Sequence, residues 1–353
     1  MEGRPLHAMR TARWFPGGWI WALLLAGPTL ATAQGFDDKD LSLRLPAAFS
    51  RFATYADVAA VGGASAGSKW ATSINPASLA WEPITTDLHL AASPQYDNIA
   101  FGSGTVLHVS SESLSWDTGN SGVFQAALAQ VRSTHGTTRQ GLDMDLDMDV
   151  VQSQWAKRLT DQWAIGANFN FAKSRMGFDL ADAEVSDSHG ETYGFRFGTL
   201  NRLADRLLGG VVFDYAFSRD RTTLFDFMGL GTGNLRAADT THQFILRPGV
   251  SYEYMKDSTI YADYQFASFA NDTGRLLVSR FFVGAEHSII KGVYIRGGVA
   301  LDQKGNAAWT TGFGVSPSQN VSVDVAFQDN MFPELKPEFG RSRTLTFSIC
   351  VSF

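Results

Sequence analysis

The chain's final stretch, residues 341–353 (RSRTLTFSICVSF), constrains the fold more than any other segment. From Arg343 onward it alternates without a slip. Leu345, Phe347, Ile349, Val351 and Phe353 share one face; Thr344, Thr346, Ser348, Cys350 and Ser352 share the other. A period of two is a β-strand, because successive side chains point to opposite faces. The large residues are all apolar and the opposite face carries small hydroxyls, with no charge to trim the end. That pattern suits a strand with hydrocarbon outside and a hydrated, crowded interior.

The same alternation recurs upstream. Trp163, Ile165, Ala167, Phe169 and Phe171 interleave with Asn168 and Asn170, and Val321, Val323, Val325 and Phe327 with Ser322, Asp324 and Gln328. The pattern predicts about fourteen strands from residue 86 to the C-terminus, the first three at 86–92, 101–111 and 122–132. Tight connections at 159–162, 256–257, 289–291 and 317–319 alternate with longer ones at 176–189, 220–239 and 329–340. One long link, around Trp116 to Gly122, breaks that rhythm. The expected fold is all-β, a transmembrane antiparallel barrel. No stretch is long and apolar enough for a membrane helix.

The N-terminus reads differently. Arg4, Arg10 and Arg13 precede an apolar run from Trp19 to Leu30, and Ala31-Thr32-Ala33 has the form of a cleavage site. Residues 1–33 are therefore expected to be a signal peptide. Removing three arginines and Glu2 leaves 26 basic against 34 acidic side chains, a net charge of −8. That balance argues against a nucleic-acid partner. The single cysteine, Cys350, excludes an internal disulfide framework. Residues 34–84, rich in Gly, Ala and Ser between Gly62 and Trp81, suit a plug packed inside the bore of a barrel formed by 85–353. Phe49, Phe52 and Tyr55 predict one short helix within 46–60.

Asn75-Pro76-Ala77 is a turn, since Pro fixes its own φ and restricts its neighbour. Its place after a small-residue segment and before the first strand resembles the N-terminal hatch of the FadL-type long-chain fatty acid and hydrophobic-compound transporters. A chain end in Phe after an alternating strand likewise resembles the terminal signal read by the outer-membrane barrel assembly machinery. The resemblance implies a fourteen-stranded barrel in the bacterial outer membrane, among lipid and lipopolysaccharide. It also implies passive uptake of hydrophobic small molecules such as fatty acids or hydrocarbons, without cofactor or catalysis. The alternatives are a non-transporting barrel of the same class acting as a docking or secretion accessory protein, and an outer-membrane lipid hydrolase.

Several residues are candidates for contact with a ligand. Leu224, Phe225, Phe227, Met228 and Leu230 form an apolar patch on a water-facing connection. It is either a landing site for an apolar ligand or a loop folded over the mouth. Arg247 and Arg296 phase inward with Asp214, Asp263, Glu253 and Asp324. Such charges need partners or water, so they pair with one another or hold the plug. By analogy, either arginine is also a candidate partner for a ligand carboxylate.

Other motifs read as structural. Asp143, Asp145, Asp147 and Asp149 alternate with Leu142, Met144, Leu146 and Met148. Carboxylates spread over about 20 Å of strand do not converge on one calcium ion, so no metal site is assigned and a hydrated lumen wall is expected. The segment from Gly62 to Lys69 is a near miss to a phosphate loop, with its Lys one place late. His108 with Ser110, and His287 with Ser288, lack an oriented carboxylate or nucleophile motif.

Overall fold

A computed structural model describes residues 41–49, 56–69, 71–81, 90–181, 183–225, 234–318 and 320–352. The expected signal peptide, Phe52, Tyr55, the start of the first strand at 86–89, Phe227, Met228, Leu230 and Phe353 lie outside the described residues.

Fourteen strands close into one antiparallel barrel in which each strand pairs with its chain neighbours and β14 returns to β1. They are β1 (Leu90–Phe101), β2 (Val106–Asp117), β3 (Val123–His135), β4 (Asp143–Thr160), β5 (Trp163–Leu180), β6 (Ala183–Ala204) and β7 (Leu207–Leu224). The second half is β8 (Leu235–Met255), β9 (Ser258–Ala270), β10 (Arg275–Ile290), β11 (Val293–Asp302), β12 (Ala307–Ser318), β13 (Val321–Asp329) and β14 (Ser342–Ser352). The terminal strand closes the cylinder through pairs such as Tyr96 with Phe347 and Asn98 with Leu345. Closure leaves no unpaired sheet edge, which hydrocarbon would otherwise penalise at every N–H and C=O.

The outward face carries the large apolar residues read from the sequence. Phe169, Phe347, Leu345, Val299 and Phe313 are all exposed on the barrel surface. A strand needs about 9–11 residues to cross a bilayer, yet β4 to β8 run from 18 to 22. Half of that wall therefore rises beyond the membrane. On β5 the outward residues change from Phe169 and Phe171 to Lys173 and Arg175, marking where lipid gives way to water.

Four sequence expectations are corrected. The first strands are 90–101 and 106–117, later in the chain than expected, which reduces the β2–β3 link to 118–122. The anomalous long connection disappears, and the turns at that rim are uniformly short. Second, 176–189 is almost entirely strand, since β5 reaches Leu180 and β6 begins at Ala183. The polar residues there read as loop because the outward faces of both strands meet water. Third, helix begins before the stretch 46–60 expected to hold it: the described residues there belong to α1 (Leu41–Phe49) and α2 (Ala56–Ala60).

Fourth, the Asp143–Asp149 row does not line the lumen. The aspartates are exposed on the outer surface, while Met144, Leu146 and Met148 are buried inside. Arg132 bridges two of these carboxylates, at 2.6 Å to Asp147 and 2.7 Å to Asp149. Above the membrane the water is outside, so the faces exchange roles.

Candidate functional site: a hatch, a lid and the chamber between them

The hatch fills the bore by shape. Asn75 is completely buried, and each polar atom of its amide is engaged. Its Oδ1 accepts from Ala77 N (3.0 Å), and its Nδ2 donates to Ala66 O (2.7 Å) and to Thr199 O on β6 (2.9 Å). The side chain thereby caps a 3-10 turn, Pro76–Ala80, whose first residue lacks the N–H that would need a partner.

The wall is cut back to receive this turn. Gly166 on β5 and Gly198 on β6 are in register. A Cβ on Gly198 would sit 2.1 Å from Asn75 Oδ1, and one on Gly166 would sit 2.4 Å from the Pro76 carbonyl carbon. A second in-register pair, Gly284 and Gly298 on β10 and β11, leaves the same room for Val61. These glycines escaped the sequence reading. Their signal was a Gly at the inward phase of an otherwise well-formed strand, which marks a close backbone approach.

Wall side chains satisfy the hatch backbone, whose buried polar groups would otherwise be costly. Asp263 Oδ2 accepts from Ser65 N and Ala66 N, both at 2.7 Å. Ser251 donates to Gly67 O (2.8 Å), Thr310 to Ala60 O (2.8 Å) and Arg196 to Ser73 O (2.7 Å). The chain reverses after α2 through Gly62 and Gly63, at φ of +74° and +78°, where a side chain would be strained. That turn presents Gly63 O to Arg247. At the hatch's end, Arg158 and Arg202 stack on the Trp81 ring, at 4.5 and 5.2 Å from its centre.

The connection between β13 and β14 folds into the mouth as a lid. Met331, Phe332, Leu335 and Phe339 are buried there. Phe101 of β1 meets the Phe339 ring at 5.7 Å and the Phe332 ring at 6.3 Å between centroids. Two ion pairs hold the lid, Arg280 with Glu334 at 3.1 Å and Arg44 of α1 with Glu338 at 2.7 Å. Below it, the inward residues of β1 to β5, including Ile99, Val109, Val131, Leu146 and Met148, join the lid in one apolar cluster. Sequence reasoning missed this lining because it took the greasy face of every strand to be the lipid face.

Between lid and hatch is a small chamber of about 50 Å³, bounded by Gly63 and Ile74 below and by Met331 and Phe332 above. Its walls include Val212, Ile245, Phe282, Arg196 and Arg247. A dry apolar cavity of about 150 Å³ holds benzene, so a ring enters this chamber only when the residues around it move apart.

The expected site residues divide accordingly. Asn75, Pro76 and Ala77 form the hatch turn. Leu224 is exposed at the end of β7, and Phe225 N donates to Val185 O on β6 (3.0 Å), pinning the start of that connection to the neighbouring strand. Arg247 pairs with Asp263 at 2.9 Å, and Arg296 with both Glu286 and Asp324 at 2.5 Å. His287 meets two hydroxyls, of Tyr254 (2.8 Å) and Ser258 (3.4 Å), and His108 meets those of Tyr96 (2.5 Å) and Thr134 (3.2 Å).

No protein-family model matches the sequence, and no curated protein matches it. Solved structures do. The toluene transporter TbuX of Ralstonia pickettii superposes with a TM-score of 0.61 at 13% identity, over 85% of this chain and 98% of that one. The monoaromatic hydrocarbon channel CymD gives 0.57 at 14% identity, over 85% and 97%. A Pseudomonas aeruginosa FadL homologue gives 0.53 at 12%, over 85% and 98%. At such low identity the likeness is one of fold, and this chain has the fold of the FadL-type outer-membrane transporters.

Proposed function

We propose that the chain is a passive channel of the bacterial outer membrane for small hydrophobic molecules, of the class its structural neighbours are named for. The observation that carries this reading is the apolar lining of the upper bore, where Ile99, Val109, Leu146, Met148 and the lid phenylalanines are buried together. A water-filled pore for polar solutes has no use for such a lining. An apolar solute held back by the sugar and phosphate layer of lipopolysaccharide finds there a surface that removes it from water, worth about 25 cal/mol per Å² of apolar area.

Passage needs no chemistry. The lid must part for a guest to reach the chamber, and the hatch must yield for it to leave. We assign residues 1–33 as the export leader, 34–84 as the hatch and 85–353 as the barrel, inserted by the barrel assembly machinery. Cells without hydrocarbon channels of their own, given the full chain, are expected to take up radiolabelled toluene several-fold faster than cells carrying an empty vector. Equal rates, with the barrel present in the outer-membrane fraction, overturn the proposal.

A further inference from the structure

We infer that this passage admits uncharged apolar molecules and rejects ionised carboxylates, with Asp214 and Asp263 as the residues that set the distinction. The inference rests on the uptake reading above and refines the class of guest.

Two arginines line the chamber, and each is already matched. Arg196 lies 2.7 Å from Asp214, and Arg247 lies 2.9 Å from Asp263. Both carboxylates are buried. Further donors on the two guanidinium groups serve the hatch, Arg196 at Ser73 O and Arg247 at Gly63 O. The Arg247 guanidinium also stacks on the Phe282 ring, 4.3 Å from its centre. The neighbouring arginines follow the same rule, Arg280 with Glu334 and Arg296 with Glu286 and Asp324.

Charge in the chamber therefore sums to zero at close range. A carboxylate entering it sheds its hydration, a loss that a low-dielectric site does not itself replace. What it gains from an arginine is offset by the aspartate already at that arginine's side, so no net attraction replaces the lost water. An uncharged ring meets no such barrier, since Val212, Ile245, Phe282 and Phe332 offer it apolar contact. A site built for an anionic head group needs an arginine in surplus. Here the pairing does two jobs, fixing the hatch and cancelling the positive potential.

The test uses cells without general porins, carrying the full chain, and compares radiolabelled toluene with radiolabelled benzoate at neutral pH. The two share a ring and differ by one charge. The expected result is uptake of toluene and exclusion of benzoate. Asp214→Asn keeps the shape and leaves Arg196 unmatched, and is expected to raise the benzoate-to-toluene ratio roughly tenfold, the equivalent of a modest change in site affinity. The double variant Arg196→Gln with Asp214→Asn is expected to restore exclusion. If Asp214→Asn does not assemble, Asp263→Asn carries the same expectation.

Uptake of both probes by the wild type overturns this inference and leaves the uptake reading standing. Uptake of neither overturns both. A ratio unmoved by Asp214→Asn overturns the role of the pairing, as does a rise in benzoate matched by an equal rise in glycerol, which reports a leak.

Discussion

The two halves of β4 teach opposite lessons with one pattern. From Val151 downward, outward residues such as Val151 and Trp155 face lipid, while Gln152 and Gln154 face the bore. From Asp149 upward, the outward residues are aspartates and the inward ones are Met144, Leu146 and Met148. Alternation reports that a strand has two different faces. It does not report which solvent each face meets. That depends on height, because the exterior changes from hydrocarbon to water within one strand while the bore changes from polar to apolar.

The contrast is broken most sharply by charging each level in turn. Phe169→Lys places a cation in the lipid band and is expected to cost about 2–4 kcal/mol of barrel stability, as for cations near a bilayer midplane. Asp147→Ala, in the exposed row above, is expected to cost at most about 1 kcal/mol, since its Arg132 pair is solvent-screened. Urea unfolding from vesicles measures both, and similar losses would erase the boundary between Val151 and Asp149.

The hatch offers the next largest effect, because its Asn75 turn seats against β5 and β6 in the lower bore. Gly198→Val drives side-chain atoms into Asn75 and Pro76. Overpacking of this kind costs roughly 1–3 kcal/mol, or about a 5- to 150-fold larger open population. Single-channel conductance in planar bilayers should rise from its closed baseline. A baseline identical to wild type would show that the hatch does not dock against β6.

Asn75→Ala should act in the same direction more gently. It removes the cap and leaves Ala66 O and Thr199 O without that donor, a loss of about 1 kcal/mol. Brief openings should become several times more frequent, without the sustained conductance of Gly198→Val. An unchanged opening rate would mean the turn is held by packing alone.

The smallest effect is a pH dependence of hatch seating. Asp57 heads α2, half-buried. Lost hydration, reinforced by Asp324 on β13 and more weakly by Glu286 on β10, pushes its carboxyl up from 3.8 to about 7, against the opposing pull of Arg296 on β11 and the Val58 N–H. Tyr261 on β9 is also within electrostatic reach. A carboxyl whose pKa is raised on docking binds its proton more tightly when docked. Its contribution is therefore full below about 4 and is lost as pH rises through about 7. The hatch should resist limited proteolysis better at pH 5 than at pH 8, and Asp57→Asn should flatten the difference. A wild-type profile already flat would remove Asp57 from hatch docking.

Legibility tracked chemistry that is local. The strand faces of β5, β13 and β14 and the Asn75 turn could be read directly, because period and turn geometry depend on adjacent residues. The inward charges could be read as a set needing partners, though not which carboxylate serves which arginine. The expected loop 176–189 failed because its outward face meets water, so Asp179, Asp187 and His189 stand where apolar residues would have marked a lipid-facing strand. The lid was read only as a long connection, since nothing in 329–340 says that Phe332 and Phe339 turn inward to meet Phe101.

What the sequence determined alone was a closed β-cylinder with a small-residue stopper, since hydrocarbon forbids unpaired backbone and alternation is its only strand-level solution. What only the tertiary structure decided was the polarity of each level and the neutrality of the chamber. Asp214 meets Arg196 through the register of β6 and β7, and Asp263 meets Arg247 through that of β8 and β9. Charge cancellation depends on ångström distances between residues far apart in the chain, and composition carries no distances.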